Sequence, residues 1–455
     1  MMARTPITTV SSPLGLITIC VLLCWIFPIR STGTDNNGPQ SGFLPNPRCA
    51  PTDSLSLKRD GFEHRRFPQH TFTHLTPRAA KSWTVLFYDD ADFANAYDPF
   101  SSFTSEAFSS SNLNVVVLQD TSTEPARIFE IGESHQPTLL SELGEVDMGS
   151  PATLRDFVSF AQTLYPADRY LLAVYDHGGG WRGACRDDTD GGRLTMQDFQ
   201  SAFDTSDTID IIAFTAPCLM GALESVYELR DHVDYYIGSE DLSGYVYWRG
   251  VIDDIFDLLD GAPELATEAV SQEIIQMVAT NTSVPPYLRD RVTMSAVSAI
   301  DLAHAVDDLD ALCASILDHG SAMMDYVATA RMRAKTFADI PDVNGTMDVV
   351  SFIQELIDVN KNPELLDELN AVRNSMNRAI VAEHHGSDQE GAGGLTIYFP
   401  TRSLFVSDAY RYGSLDFVER TSWLDMLDVW HTIDFDRSRQ GGAARRTPDA
   451  DGSHP

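Results

Sequence analysis

Between Lys81 and Asp241 the chain alternates near-continuous apolar runs with segments of helical spacing, and few architectures accept that order. KSWTVLFYDDAD (Lys81–Asp92) and NLNVVVLQD (Asn112–Asp120) are runs that close on acidic residues. RYLLAVYDHG (Arg169–Gly178), IDIIAFTAPC (Ile209–Cys218) and VDYYIGSED (Val233–Asp241) repeat the pattern. Apolar residues at successive positions predict a strand buried on both faces. ARIFEI (Ala126–Ile131) alternates instead and reads as a shorter strand. TLRDFVSFAQTLYP (Thr153–Pro166), LTMQDFQSAF (Leu194–Phe203) and LMGALESVYELRDH (Leu219–His232) carry helical spacing. The polar stretch between the first two runs is long enough for one more helix. Strands alternating with helices predict an α/β fold with a largely parallel sheet. In such sheets chemistry sits at the carboxyl ends of the strands.

Two strand ends stand out. One run delivers His177, followed at once by Gly178, Gly179 and Gly180. Bare glycines let a substrate backbone approach closely, and they free N–H groups to face a developing negative charge. A Gly-rich turn with an incidental histidine is the competing reading. The other run delivers Cys218, directly ahead of a helical pattern. A helix N-terminus and a nearby imidazole both favour the thiolate, the nucleophilic form of the side chain. A buried structural cysteine is the competing reading there. The interval between the two residues leaves room for one strand–helix crossover, which can bring both to one sheet edge.

The remainder of the chain frames this region. Leu14–Ile29 is an apolar run after Arg4, and polar residues follow it. Residues 1–33 therefore read as a signal peptide, or as a signal anchor if uncleaved. The expected product is exported, either secreted or held at the cell envelope, with a membrane partner only in the uncleaved case. Residues 34–80 read as a linker or pro-segment, 250–390 as mostly helical additions, 393–400 as one late strand, and 436–455 as a disordered tail. The charge balance is 66 acidic against 32 basic residues, a net −34, which disfavours a nucleic-acid partner. Cys20 and Cys24 lie in the leader, while Cys49, Cys185, Cys218 and Cys313 are far apart. Their spacing signals neither a zinc site nor a disulfide scaffold. No G-x-S-x-G or H-E-x-x-H motif occurs, which weighs against a serine esterase and a zinc hydrolase.

The blocks around His177 and Cys218, with CLMG after the cysteine and GSE after the next strand, resemble the clostripain-like cysteine peptidases. The resemblance runs from about Trp83 to Trp430. It implies a caspase-like three-layer α/β/α sandwich, within a peptidase domain at 81–435 whose core lies at about 81–250. Cys218 would be the nucleophile and His177 the general acid/base. The N–H groups of Gly178 and Cys218 would form the oxyanion hole, and the substrate would be a protein or peptide. The family typically carries an Asp two residues ahead of the cysteine, implied to favour Arg or Lys at P1. Ala216 stands there in this chain, and a methyl group cannot pair with a guanidinium. Strict preference for Arg or Lys is therefore not expected. Glu240 and Asp241 are candidates for substitute charge, and Trp248 with Tyr247 for an apolar pocket instead. The same departure motivates the alternative of a non-catalytic or regulatory member of the fold.

The chemistry requires no cofactor, and no metal ligand set is read from spacing. RDDTDGG (Arg186–Gly192) reads as a solvated acidic turn, with calcium as the alternative that the resemblance adds. Asn281 and Asn344 open glycosylation sequons. The resemblance further implies maturation by internal cleavage between the His and Cys blocks, where Arg182, Arg186 and Arg193 lie.

Overall fold

Alternate residues of the apolar runs feed two separate cores. Leu86 and Tyr88, Val116 and Leu118, Leu172 and Val174, and Ile212 and Phe214 share one core. Val85 and Phe87, Val115 and Val117, Leu171 and Ala173, and Ile211 and Ala213 share the other. Successive side chains point to opposite faces of a strand, so a run apolar at every position needs helices on both sides. The computed structural model describes residues 75–92, 99–204, 206, 208–337 and 345–444. The leader, most of the expected pro-segment, Cys49 and Asn344 lie outside those residues.

The main sheet has nine strands. In chain order its first half comprises β1 (Lys81–Ala91), β2 (Leu113–Thr121), β3 (Glu124–Ile131), β4 (Pro137–Gly144) and β5 (Ala167–Tyr175). A small ribbon follows, made of β6 (Ala184–Arg186) and β7 (Arg193–Leu194). Then come β8 (Ile209–Phe214), β9 (Val233–Gly238), β10 (Thr293–Ser298), β11 (Thr346–Asp348), β12 (Ile380–His385) and β13 (Thr396–Tyr398). The spatial order is β12-β10-β9-β8-β5-β1-β2-β3-β4. The central pairings, from β9 through β8, β5 and β1 to β2, are all parallel. Antiparallel strands close both edges.

Helices α1 (Phe100–Glu106), α2 (Pro151–Leu164), α3 (Met196–Phe203) and α4 (Leu223–Leu229) are the helices that accompany these strands up to β9. The first core packs α2, α3, α4 and the helix Ala299–Asp318 on one face of the sheet. The second packs α1 and the helices Ile252–Gly261 and Thr267–Thr280 on the other. The three-layer α/β/α expectation holds.

Three expectations change in detail. The mostly helical region 250–390 also contributes β10 and β12 to the main sheet. The late strand expected at 393–400 is only Thr396–Tyr398, and it pairs with β11 outside the main sheet. The last helix runs Trp423–Ala444, so helix continues into the segment expected as tail from residue 436. Among the described residues no helix is long and apolar enough to cross a membrane.

Candidate active site

β5 and β8 are parallel neighbours, with Val174 opposite Phe214 at their carboxyl ends. Thr215 N–H then donates to Val174 O at 2.9 Å, so both chains leave the sheet side by side. Cys185 N–H donates to His177 O at 3.3 Å, and Gly179 N–H to Gly183 O at 2.9 Å. These bonds fold the His177 loop back onto the β6 ribbon as an isolated bridge between Gly178 and Ala184. In that pattern the bridged residues bond through their neighbours, so Gly178 keeps its own N–H turned away from the ribbon.

The outward side of Gly178 meets Cys218. A Cβ on Gly178 would lie 2.5 Å from Cys218 O, 2.7 Å from Pro217 Cβ and 3.0 Å from Cys218 N. Gly180 has φ of +61°, and a Cβ there would lie 3.0 Å from Leu219 O. The glycines were expected to clear space for substrate. Instead they let the histidine loop seat on the cysteine loop backbone to backbone. Neither Gly178 N–H nor Cys218 N–H donates to another described residue.

The cysteine loop is held differently from expectation. Residues 219–222 are not helical, and α4 begins only at Leu223. Leu219 sits at φ +65°, a left-handed conformation that costs a non-glycine residue roughly 1–2 kcal/mol. Neighbouring strands take up the backbone groups that a helix would have used. Leu219 N–H donates to Asp241 O at 3.1 Å, Gly221 N–H to Ser239 O at 2.7 Å, and Thr396 N–H to Gly221 O at 2.8 Å. A helix N-terminus therefore does not abut Cys218. Its thiol is half-buried, and burial pushes its pKa up to about 11. Ser243 N–H donates to Sγ at 3.3 Å, and Sγ faces Ser243 O at 3.6 Å. Burial also lowers the pKa of His177, with Asp188 opposing it. Burial therefore favours the uncharged form of both side chains.

The expected pocket residues separate. Ala216 and Trp248 are buried in the second core. Asn281, first residue of a sequon, is 4% exposed, and its amide donates to Tyr247 O and Arg249 O, each at 3.0 Å. Asp241 lines a cavity of about 350 Å³ together with Arg291, Lys335, Phe337, Asp388 and Gln389. Its Oδ2 accepts from Gln389 Nε2 at 2.7 Å. Glu240 turns away from that cavity. Its Oε2 accepts from Gly394 N–H at 3.0 Å, beside Asp348 Oδ2, which accepts from Gly393 N–H at 2.6 Å.

Burial and the facing Asp348 raise the Glu240 pKa well above the usual carboxyl range. Two buried carboxyls facing each other favour the protonated form of one of them. A carboxyl whose folded pKa is raised lends stability below its unfolded pKa and loses it as pH rises toward the folded value. Glu240→Gln keeps the shape and the hydrogen bond but cannot titrate. The fall in Tm between pH 5 and pH 8 should be shallower in this variant than in the parent, measured by thermal melts in matched buffers. Parallel curves would show that the pair holds no shared proton.

Sequence reasoning missed Ser243, Asp348 and the Gly393–Gly394 turn, because none carries a local signal. It also missed that Asp187 of RDDTDGG is fully buried rather than solvated. Arg193 of the same interval is half-buried, while Arg186 remains exposed.

Fold and site define a caspase-like α/β/α protein that seats a histidine loop on a cysteine loop at the carboxyl edge of its parallel strands. The chain belongs to the clostripain family, whose profile matches residues 100–430. It is 26% identical over 188 residues to clostripain of Hathewaya histolytica, a match covering 32% of this chain and 36% of that relative's length. Among solved structures it is similar to an inactive zymogen C11 protease from Parabacteroides distasonis. That match has a TM-score of 0.57 at 20% identity over 75% of this chain and 98% of the other. A secreted C11 cysteine protease from Bacteroides thetaiotaomicron, in complex with an irreversible peptide inhibitor, gives a TM-score of 0.56. Its identity is 17%, over 75% of this chain and 99% of the other.

Proposed function

We propose that this chain is an exported cysteine endopeptidase in which His177 and Cys218 form the catalytic pair. The observation that carries the reading is the contact of Gly178 with the Cys218 backbone, which leaves no room for a side chain between the two loops. Burial favours the neutral imidazole, the form in which His177 accepts the thiol proton as Sγ attacks the scissile carbonyl. The tetrahedral oxyanion is received by the N–H groups of Gly178 and Cys218. His177 returns the proton to the leaving amine as the C–N bond breaks and a thioester forms. Water, deprotonated by His177, then releases the acid and regenerates the thiol. Export is inferred from the apolar leader at Leu14–Ile29 and from a relative described as secreted.

The P1 preference follows from what surrounds Asp241. Ala216 supplies no charge, and Glu240 is engaged with Asp348 and Gly394. Asp241 and Asp388 share their cavity with Arg291 and Lys335, so the cavity offers no surplus negative charge to a basic side chain. An uncharged P1 residue is therefore preferred. In a P1-scanning fluorogenic panel on the chain without its leader, uncharged P1 peptides should exceed Arg and Lys peptides in kcat/KM by about tenfold or more, the order of one lost charge partner. A preference for Arg or Lys would overturn the specificity assignment. No turnover at any P1, under reducing conditions, would favour a non-catalytic member of the fold.

A further inference from the structure

The short strand β13 touches both loops of the site. Thr396 N–H donates to Gly221 O at 2.8 Å, and Thr396 forms an isolated bridge with Ala222, just past the cysteine. Two residues on, Tyr398 faces the histidine loop. Its ring meets Trp181 edge to face, with centroids 5.2 Å apart, and its hydroxyl donates to Asp408 Oδ2 at 2.9 Å. Arg182 Nη2 donates to the same Asp408 oxygen at 2.5 Å. The Arg182 guanidinium also lies over the Trp181 ring, 4.4 Å from its centroid. Asp408 sits on the helix Arg402–Tyr412, and Tyr412 at the end of that helix closes on Trp181 at 5.1 Å between centroids.

The grip acts on a turn that is already closed on itself. Arg182 N–H donates to Gly179 O at 3.2 Å, Gly183 N–H to Gly180 O at 2.9 Å and Gly179 N–H to Gly183 O at 2.9 Å, so residues 179–183 move as one piece. One side of that piece rests on the cysteine loop, where Gly180 meets Leu219 O. The other side presents Trp181 and Arg182 to the segment that follows β13. Glu224, fully buried in the first turn of α4, orients that segment. Its Oε1 accepts from Tyr398 N–H and from the Tyr412 hydroxyl, each at 2.8 Å. The Arg182 and Asp408 side chains are only 10% and 14% exposed. An ion pair so withdrawn from water adds little stability over apolar side chains of similar volume. Its charge-assisted bonds are directional, however, and admit one placement of the turn.

We propose that Arg182, Asp408 and Tyr398 are positioning residues, a clamp through which the segment 396–412 fixes the His177 loop against the Cys218 loop. They act through the turn and take no part in bond making. Because β13 is bonded to the cysteine loop at Gly221 and grips the histidine loop at Trp181 and Arg182, one short strand sets the spacing of the two. The catalytic consequence rests on the reading of His177 and Cys218 as the reacting pair. Cutting the clamp frees the turn beside His177 and leaves the pairing of β5 with β8, which carry the two loops, intact. A misplacement approaching 1 Å between base and nucleophile costs about 10² in rate.

The test compares the full chain with Arg182→Met, Asp408→Asn and the double variant. Tyr398→Phe, which loses one hydroxyl and keeps the ring, is the milder form should Arg182→Met not fold. In each single variant kcat should fall by about tenfold or more while KM stays within about twofold. The double variant should be no slower than the slower single, as for two halves of one contact. A second readout follows His177 without turnover. Burial lowers its pKa, with Asp188 opposing and Arg186 and Arg193 adding to the effect. In a Cys218→Ala background, proton NMR of the imidazole signals, assigned against His177→Gln, should show His177 titrating below the ordinary value of about 6.5. With the clamp cut, the titration should move up toward that value as the ring meets water. That movement in a parent without turnover would support the clamp and sink the catalytic reading. Parental kcat with an unmoved His177 titration would overturn the clamp. So would a rise in KM alone, or a rate loss that merely follows Tm while His177 titrates as in the parent.

Discussion

Cys218→Ala should abolish peptide hydrolysis, with kcat/KM expected to fall by about 10⁴-fold or more, the scale on which a nucleophile acts with its base. His177→Ala should fall to a similar level. The double variant should be no worse than either alone, because each member is useless without the other. The resting protonation states sharpen this expectation. Burial raises the Cys218 thiol to about 11, so at pH 7 the free protein holds a thiol rather than a thiolate. Alkylation by iodoacetamide should therefore be slow near neutrality and should climb toward pH 11, following the thiolate fraction. Hydrolysis should appear at far lower pH, because proton transfer to His177 accompanies attack. Burial lowers the His177 pKa, so the acid limb of kcat/KM should lie below that of a free imidazole. A Cys218→Ala protein retaining a tenth of parental turnover would remove Cys218 from the mechanism. Alkylation that is already maximal at pH 6 would show an ion pair at rest.

The second large effect is expected at a residue without a side chain. Gly178→Ala places a methyl 2.5 Å from Cys218 O and 2.7 Å from Pro217 Cβ. The cysteine loop cannot retreat, because Thr215 is bonded to Val174 and Leu219 to Asp241. Overpacking of this kind costs about 1–3 kcal/mol. A displacement approaching 1 Å between nucleophile and base costs about 10² in rate. Gly178→Ala should thus lose both Tm and kcat, with the loss in kcat the larger. Gly261→Ala is the matched control, since a Cβ there meets nothing within 4 Å. If Gly178→Ala matches that control in both measurements, the two loops are not in the tight contact described.

The central strands were legible because each buries both faces, and only a strand between two helical layers keeps so many consecutive apolar residues. The outer strands gave no such signal. β4 is largely exposed, and β12 is half-buried at every position, so neither segregates apolar from polar residues. β10 lies among helical segments and was read with them. The neighbouring placement of His177 and Cys218 was legible because both residues follow strands in the chain. The geometry around them was not. LMGALES carries helical spacing from its first residue, yet bonds to Asp241, Ser239 and Thr396 hold residues 219–222 out of the helix. The closeness of the Asp92, Glu145 and Asp187 carboxylates, whose oxygens lie within 4.8 Å of one another, was invisible for another reason. Asp92, Glu145 and Asp187 come from three separate connections, and no local spacing links them.

The buried Asn281 has a practical bearing on how this protein can be produced. In a eukaryotic secretory pathway, oligosaccharide is added to sequons on the nascent chain, before the fold can hide them. Sugar on the Asn281 amide would occupy the nitrogen that bonds Tyr247 O and Arg249 O and would have to enter a closed interior. Molecules modified there would be trapped short of the native state. Ser283→Ala removes this acceptor signal and leaves the Asn281 amide in place, so it should spare the fold that modification during yeast or mammalian secretion.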